Sequence, residues 1–380
     1  MHEHKHNQCR RKVKHRKNVM KLIIFCITVG ISLMFIYYQN LRKEIDARQK
    51  WLETVLTGEK KWILENQGPE GEFYMNGSKA GDVNPYFAYM AALGLLAETK
   101  NCPITETEKK AVGRYLDWHT GILLETDGKM GIYRKESGKL IYKEKADSED
   151  GYLGMYLFLM GKYLEKTEST DLPEYWKKGI SLALKKIQSL MQDGITQVSE
   201  ENTTVYLMDN LEVWKGLYEL EHAGLKDVQA IREMRNKLQA QIEKLFWDDA
   251  NQRWRIIENS NLYHQKEFYP DGVAQIYPLI YEFPVKEKKK QKILYKQFTE
   301  RFQWQKLTKK RNGFLWAMTG MAAAQMGDIN NLLEMIRNYE AEYCENRKYP
   351  LYTGEAGWIC MECEKLYSLY ERKIKTGFLV

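Results

Sequence analysis

Two kinds of apolar patterning alternate along the chain after residue 50. Segments such as "EYWKKGISLALKKIQSLM" and "AIREMRNKLQAQIEKLFW" place apolar residues at helical spacing on one face and charges on the other, as a helix with one face in water does. The segments between them, "NPYFAYMAALGLL", "GYLGMYLFLMGKYL", "VYLMDNLEVWKGLYEL", "GVAQIYPLIYEF", "GFLWAMTGMAAAQM" and "GEAGWICMECEKLYSLY", are apolar nearly all round, which marks helices with no face in water. The spacing predicts helices near 51–66, 84–99, 105–119, 150–166, 172–191, 205–222, 227–247, 272–281, 287–302, 313–326, 328–343 and 355–372, and strand-like alternation is scarce. Six half-exposed helices, each followed by a buried one, predict an all-α chain folded as an (α/α)6 toroid of six helical hairpins with the buried helices inside.

Loop lengths sharpen this picture. Links from a buried helix to the next exposed one are short, such as "KNCPI" and "EKTEST", whereas the longest links in the other direction run from Gly121 to Glu149 and from Asp248 to Asp271, well beyond the usual connection. The long loops and the N-termini of all the buried helices are therefore expected on one rim, where binding and chemistry are usually built. Residues 51–380 are expected to form one domain around a ring-shaped core.

Before residue 50 the pattern changes. The run "VMKLIIFCITVGISLMFIYY", Val19 to Tyr38, is long and apolar enough to cross a bilayer. Residues 1–18 carry Lys5, Arg10, Arg11, Lys12, Lys14, Arg16 and Lys17 against one acid, Glu3. This predicts a single-pass, uncleaved anchor with a cytoplasmic basic tail, a stalk at 39–50 and an extracytoplasmic domain. A cleaved signal peptide fits less well, because the run is too long and no Ala-x-Ala-like site follows. A lipoprotein reading through Cys26 fails on Ile23-Ile24-Phe25, which lacks the small residues it needs.

The net charge of +7 comes largely from the tail, which meets the anionic lipid surface. The remainder is close to neutral and carries no nucleic-acid footprint. Cys102, Cys344, Cys360 and Cys363 are too few for a disulfide framework. Cys360-Met-Glu-Cys363 is a single pair with no histidine close in sequence to complete a zinc site, so buried thiols, or one disulfide involving Cys344, are expected, with no metal and no cofactor.

The rim collects acids, amides and aromatics. The first buried helix opens on "GDVNPYFAYM" with Asp82, Asn84 and Tyr86, after a loop holding Glu72. The second opens on "ADSEDGYLGMYL" with Asp147, Glu149 and Asp150. The third contributes Tyr206, Asp209 and Asn210, the fourth Tyr269, Asp271 and Gln275, and the last two Trp316, Tyr352 and Glu355. Each acid alone reads equally well as a helix cap. Asp209 fits that reading less well, because it lies inside a buried pattern where an unpaired charge is costly. Asp150 is expected to point into the cleft and Glu149 to be merely solvated. Aromatic rings that stack on pyranoses, with carboxylates for hydroxyls and for acid/base work, point to a polysaccharide or oligosaccharide ligand.

The hairpin alternation resembles the six-hairpin glycosidase superfamily over most of the chain after residue 50. Two segments are similar to family 8 glycoside hydrolases, the endoglucanase and chitosanase group. Ala146-Asp147-Ser148-Glu149-Asp150 resembles the family's Ala-Ser/Thr-Asp-Ala/Gly-Asp, with Asp150 matching the second Asp. Tyr269-Pro270-Asp271-Gly272-Val273-Ala274-Gln275-Ile276-Tyr277-Pro278 resembles its Tyr-Asp-Ala-x-Arg-x-Pro, with Asp271 matching the acid used around the water side of an inverting reaction in some members. The chain departs from the family at two functional positions: Gly81-Asp82-Val83-Asn84 stands where the general-acid Glu is expected, and Gln275 replaces the arginine. "DVNPYFAYMAALGLL" with "ADSEDGYLGMYLFLM" is also similar to a group of membrane-anchored proteins of Gram-positive bacteria.

Three readings follow. The first is an extracytoplasmic glycoside hydrolase with Asp82 or Glu72 as acid and Asp150, Asp209 or Asp271 positioning or activating water; an inverting pair would stand about 6.5–9.5 Å apart and a retaining pair about 5–5.5 Å. The second is a glycan-binding or polysaccharide-export accessory module that does not cleave. The third, a lyase or zinc-dependent cyclase, has only Cys360, Cys363 and His119, His222 or His264 to draw on.

Overall fold

The computed structural model describes residues 2–77, 81–136, 139–169, 171–260, 267–307 and 313–375, with side chains described outside residues 2–19 and 22. His264 lies outside the described residues. The first helix is α1 (His2–Glu65), which includes residues 39–50. From Ile23 onward it is long and apolar enough to cross a membrane, with an 18-residue window of mean hydropathy 1.6 of which none is buried. Residues 52–371 form a compact unit of their own.

Within that unit the chain alternates as expected: α2 (Pro85–Leu95), α3 (Glu106–Glu125), α4 (Glu149–Thr167), α5 (Glu174–Leu190), α6 (Leu207–His222), α7 (Gln229–Phe246), α8 (Val273–Ile280), α9 (Lys288–Phe302), α10 (Thr319–Met326), α11 (Ile329–Tyr339) and α12 (Thr353–Lys375). Capping residues set several starts. Asn84 Oδ1 accepts from Tyr86 N–H at 2.9 Å with Pro85 at the first helical position, and Ser148 Oγ accepts from Gly151 N–H at 3.1 Å. Thr105 and Glu108 form a reciprocal capping box. Each cap satisfies amides that the first turn leaves without partners.

The inner helices close into a ring because glycines let their backbones touch. A Cβ on Gly216 of α6 would lie 2.1 Å from the Gly154 carbonyl of α4, and one on Gly357 of α12 would lie 2.1 Å from the Met90 carbonyl of α2. The second contact joins the last inner helix to the first. The inner helices α2, α4, α6, α8 and α10 also pack on the outer helix that follows each, as α6 does on α7 and α8 on α9. The outer layer closes at buried Glu59 of α1, which accepts from Tyr339 Oη of α11 at 2.8 Å.

Two expectations need correction. The stretch Gly121–Glu149 is not all loop: α3 runs on to Glu125, and the rest holds the antiparallel strands β2 (Gly131–Glu136) and β3 (Lys139–Lys145), with β1 (Asp82–Val83) on the far side of β2. A bulge between Ile132 and Tyr133 lets Tyr133 turn into a small core with Tyr74 and Val83. Cys344 is a free thiol that donates to Glu59 Oε1 at 3.2 Å, and Cys360 and Cys363 are buried free thiols, so the disulfide alternative does not hold. His119 is a core residue against Tyr89 and Tyr115, its imidazole pushed down to about 3 by burial.

Candidate functional site

A cleft of about 490 Å³ opens where the inner helices begin. All six contribute to its wall: Asn84 and Tyr86 at α2, Asp147 and Tyr152 at α4, Asp209 and Glu212 on α6, Tyr269 and Tyr277 at α8, Trp316 before α10, and Glu355 and Trp358 on α12. The β2–β3 hairpin adds Ile132, Glu144 and Lys145 to its edge.

Glu212 is a tightly held acid of this wall. It is 3% exposed, and its Oε1 accepts hydrogen bonds from Tyr86 Oη at 2.5 Å, Tyr277 Oη at 2.6 Å and Tyr281 Oη at 3.2 Å. Burial pushes the carboxyl up to about 7, against the pull of the three hydroxyl donors. Donors to a carboxylate favour its ionised form and desolvation disfavours it; here desolvation wins. A carboxyl poised near neutrality can hold a proton and release it, as a general acid must.

Asp209 lies one turn earlier on α6 and shares a helix face with Glu212. It keeps part of its surface open to the cleft. Burial, and then the charges of Asp150 and Glu212, raise it well above the usual carboxylate range. Asp147, at the start of α4, is exposed in the same cleft, and beside it the Tyr152 hydroxyl donates to Asn84 Oδ1 at 3.1 Å. The aromatic part of the wall is built by Tyr269, 40% exposed, and Trp316, whose ring centroids lie 4.8 Å apart. Phe314 stacks on Phe87 at 5.5 Å beside them.

Of the residues singled out from sequence, the fold brings Asn84, Tyr86, Asp147, Asp209, Tyr269, Trp316 and Glu355 into one wall. The others lie elsewhere. Asp150 is fully buried outside the cleft wall, accepting from Ser148 Oγ at 2.9 Å and Thr196 Oγ1 at 2.6 Å; burial raises it to about 6. Its neighbour Asp147 is the acid of that segment that faces the cleft. Glu149 is half-buried and pairs with Lys145 at 3.2 Å.

Asp82 forms ion pairs with Arg134 at 2.7 Å and Lys143 at 2.9 Å across the small sheet, which hold its carboxyl below the usual range. Glu72 is fully buried, accepting from Tyr74 Oη at 2.7 Å with Lys135 at 3.6 Å. Neither acid expected as proton donor therefore reaches the wall. Asp271 is 2% exposed and is not one of the wall residues. Asn210 turns away to Thr196 and Gln275 to the backbone of Trp254. Tyr206 sits at a bridge to Ile257, and Tyr352 packs on Phe87 and Phe314.

Sequence reasoning missed Glu212 and Tyr277. The available signal was a second acid three residues after Asp209 inside an otherwise apolar helix, where two charges on one face need a common reason.

No family profile and no curated protein matches the chain. Solved structures do. A wild-type glycosidase superposes with a TM-score of 0.59 at 12% identity, covering 86% of this chain and 98% of its own. A glycosidase variant in complex with glucose gives 0.55 at 13% identity, covering 89% and 99%, and a D-mannose isomerase gives 0.56 at 11% identity, covering 84% and 97%. The chain therefore has the six-hairpin toroid fold of these proteins over most of its length.

Proposed function

We propose that the cleft is the active centre of a glycoside hydrolase-like protein that acts on a polysaccharide or oligosaccharide by carboxylate acid/base chemistry. The observation that carries this reading is Glu212, a buried carboxyl held near neutrality by burial and three tyrosine hydroxyls, in one wall with two further acids and an aromatic surface. Glu212 protonates the leaving glycosidic oxygen, and Asp209 or Asp147 orients and activates water. Stacking on Tyr269 and Trp316 supplies the apolar half of sugar recognition. Among the described residues the wall carries Glu144, Asp147, Asp209, Glu212 and Glu355 against one cation, Lys145, a balance that favours a neutral sugar over one with carboxylate or phosphate groups.

The apolar part of α1 serves as the membrane anchor in this reading. Residues 1–18 stay in the cytoplasm by the positive-inside tendency, 19–38 span the bilayer, 39–50 form the stalk, and the domain from 51 onward works outside, at the surface of a Gram-positive cell. The test is incubation of the full-length protein with candidate glycans, scoring new reducing ends and, separately, binding. Cleavage that disappears in E212Q supports the hydrolase. Binding without cleavage makes the protein an accessory module, and neither binding nor cleavage overturns the reading.

A further inference from the structure

We propose that Glu355 is a positioning residue whose buried carboxylate holds the 315–317 turn, and with it the Trp316 ring, in the pose that faces the cleft. The proposal rests on the glycan reading only for what Trp316 meets. Glu355 lies in the first turn of α12 and is 5% exposed. Its Oε1 accepts from the amides of Leu315 at 3.0 Å and Trp316 at 3.1 Å, and its Oε2 from the amide of Ala317 at 2.8 Å. Three consecutive N–H groups converging on one carboxylate form an anion nest whose occupant is supplied by another helix of the same chain.

The backbone at this point requires such an occupant. Trp316 has φ +60, a left-handed conformation that is unfavourable for a residue with a side chain and marks places where surroundings override local preference. Its carbonyl is tied on the other side, accepting from Thr319 N–H at 3.0 Å and Thr319 Oγ1 at 2.8 Å. With the residue pinned at both ends, the ring lies 4.8 Å from Tyr269 and 5.5 Å from Phe268. Without the carboxylate, three amides would lose their common acceptor, two of them at buried residues, Leu315 and Ala317. The turn would then relax toward negative φ and carry the ring off Tyr269. A glutamine is not equivalent, because whichever way its amide is turned, an NH₂ group meets at least one of the backbone donors.

The experiment uses full-length protein labelled with 5-fluorotryptophan, with the Trp316 fluorine resonance assigned by its loss in W316F. In E355Q the Trp316 resonance is expected to move or broaden while the distant tryptophans, such as Trp176 and Trp214, keep theirs. Glucose and a neutral gluco-oligosaccharide mixture are expected to shift the Trp316 resonance of the unmodified protein, with affinity about tenfold weaker in E355Q. W316G, in which glycine accepts the positive φ freely, is expected to fold yet bind the same saccharides about tenfold more weakly. An E355Q spectrum with Trp316 unmoved, or with all tryptophans moving together, overturns the proposal. A Trp316 resonance that responds to E355Q but to none of the saccharides supports the positioning role and counts against the glycan reading instead.

Discussion

Tyr277 of α8 donates a 2.6 Å hydrogen bond to Glu212 Oε1 of α6, and its own oxygen lies 3.2 Å from the Tyr86 hydroxyl. Two inner helices thereby fix one carboxyl and lower its pKa against the upward push of burial. In Y277F a donor that favours the ionised form is lost, so Glu212 should titrate above about 7. The basic limb of the pH–activity profile, where the acid must still be protonated, should move to higher pH by about half a unit or more. An unmoved or lowered limb would remove Glu212 from the role of proton donor.

The reassignment of the acid can be tested by contrast. Asp82 is bound into the small sheet by Arg134 and Lys143, so D82N should retain turnover within about twofold while losing some thermal stability. E212Q should lower kcat by a factor of about 10² or more, within the range that positioned proton transfer contributes. Equal losses in both variants would return Asp82 to consideration.

Stability should depend on pH in a definite direction. Folding raises Glu212 and Glu355 to about 7 from 4.5, and Asp150 to about 6 from 3.8, chiefly by burial. The folded protein therefore binds these protons more tightly than the unfolded chain. Their contribution is fully present below the unfolded values and is lost as pH rises through about 6 to 7. His119 and Glu282 oppose them: His119, held down to about 3 by burial, removes part of this gain as pH falls below 6.5, and Glu282, held down to about 2 by Lys215 and Lys365 against its burial, loses its contribution only in strong acid. The thermal unfolding midpoint should thus be several degrees higher at pH 5 than at pH 8; a midpoint that rises toward pH 8 would contradict the burial of these acids.

The glycine crossings of the inner ring make a separate prediction. G216A would place a Cβ 2.1 Å from the Gly154 carbonyl, a backbone clash that cannot be relieved by a rotamer change and should cost about 3 kcal/mol or more. Gly58 in α1 has nothing within 4 Å of its would-be Cβ, so G58A should be neutral or stabilising by about 0.5–1 kcal/mol. Chemical denaturation of the two variants separates a ring held at glycine contacts from one that is merely glycine-rich.

Much of the architecture was legible because helix burial leaves a direct trace in sequence. The alternation of charged segments such as "EYWKKGISLALKKIQSLM" with all-round apolar ones marks which helices face water, and the observed α5 and α4 fall there within a few residues. The β2–β3 hairpin was hidden because β3 buries almost nothing: Ile141 and Tyr142 are exposed together with the lysines around them, so no alternation of period two survives. Site residues were less legible than the rim that holds them. Which acid of "ADSEDG" faces the cleft depends on the start of α4: with Ser148 as the cap, Asp150 falls on the inward face toward Thr196 and Asp147 stays outside the helix. Glu212 was passed over because its neighbours Leu211, Val213 and Trp214 belong to the core, and a buried acid leaves no periodic mark of its own.

The measurement that bears most directly on the central claim is reducing-end release by the full-length protein from the extracellular polysaccharide of the producing organism, with E212Q in parallel. The expected result is new reducing ends that accumulate with time for the unmodified protein and fall at least a hundredfold in E212Q. Release that persists undiminished in E212Q would contradict the assignment of Glu212 as proton donor, and the absence of both release and binding would contradict a glycan-processing cleft.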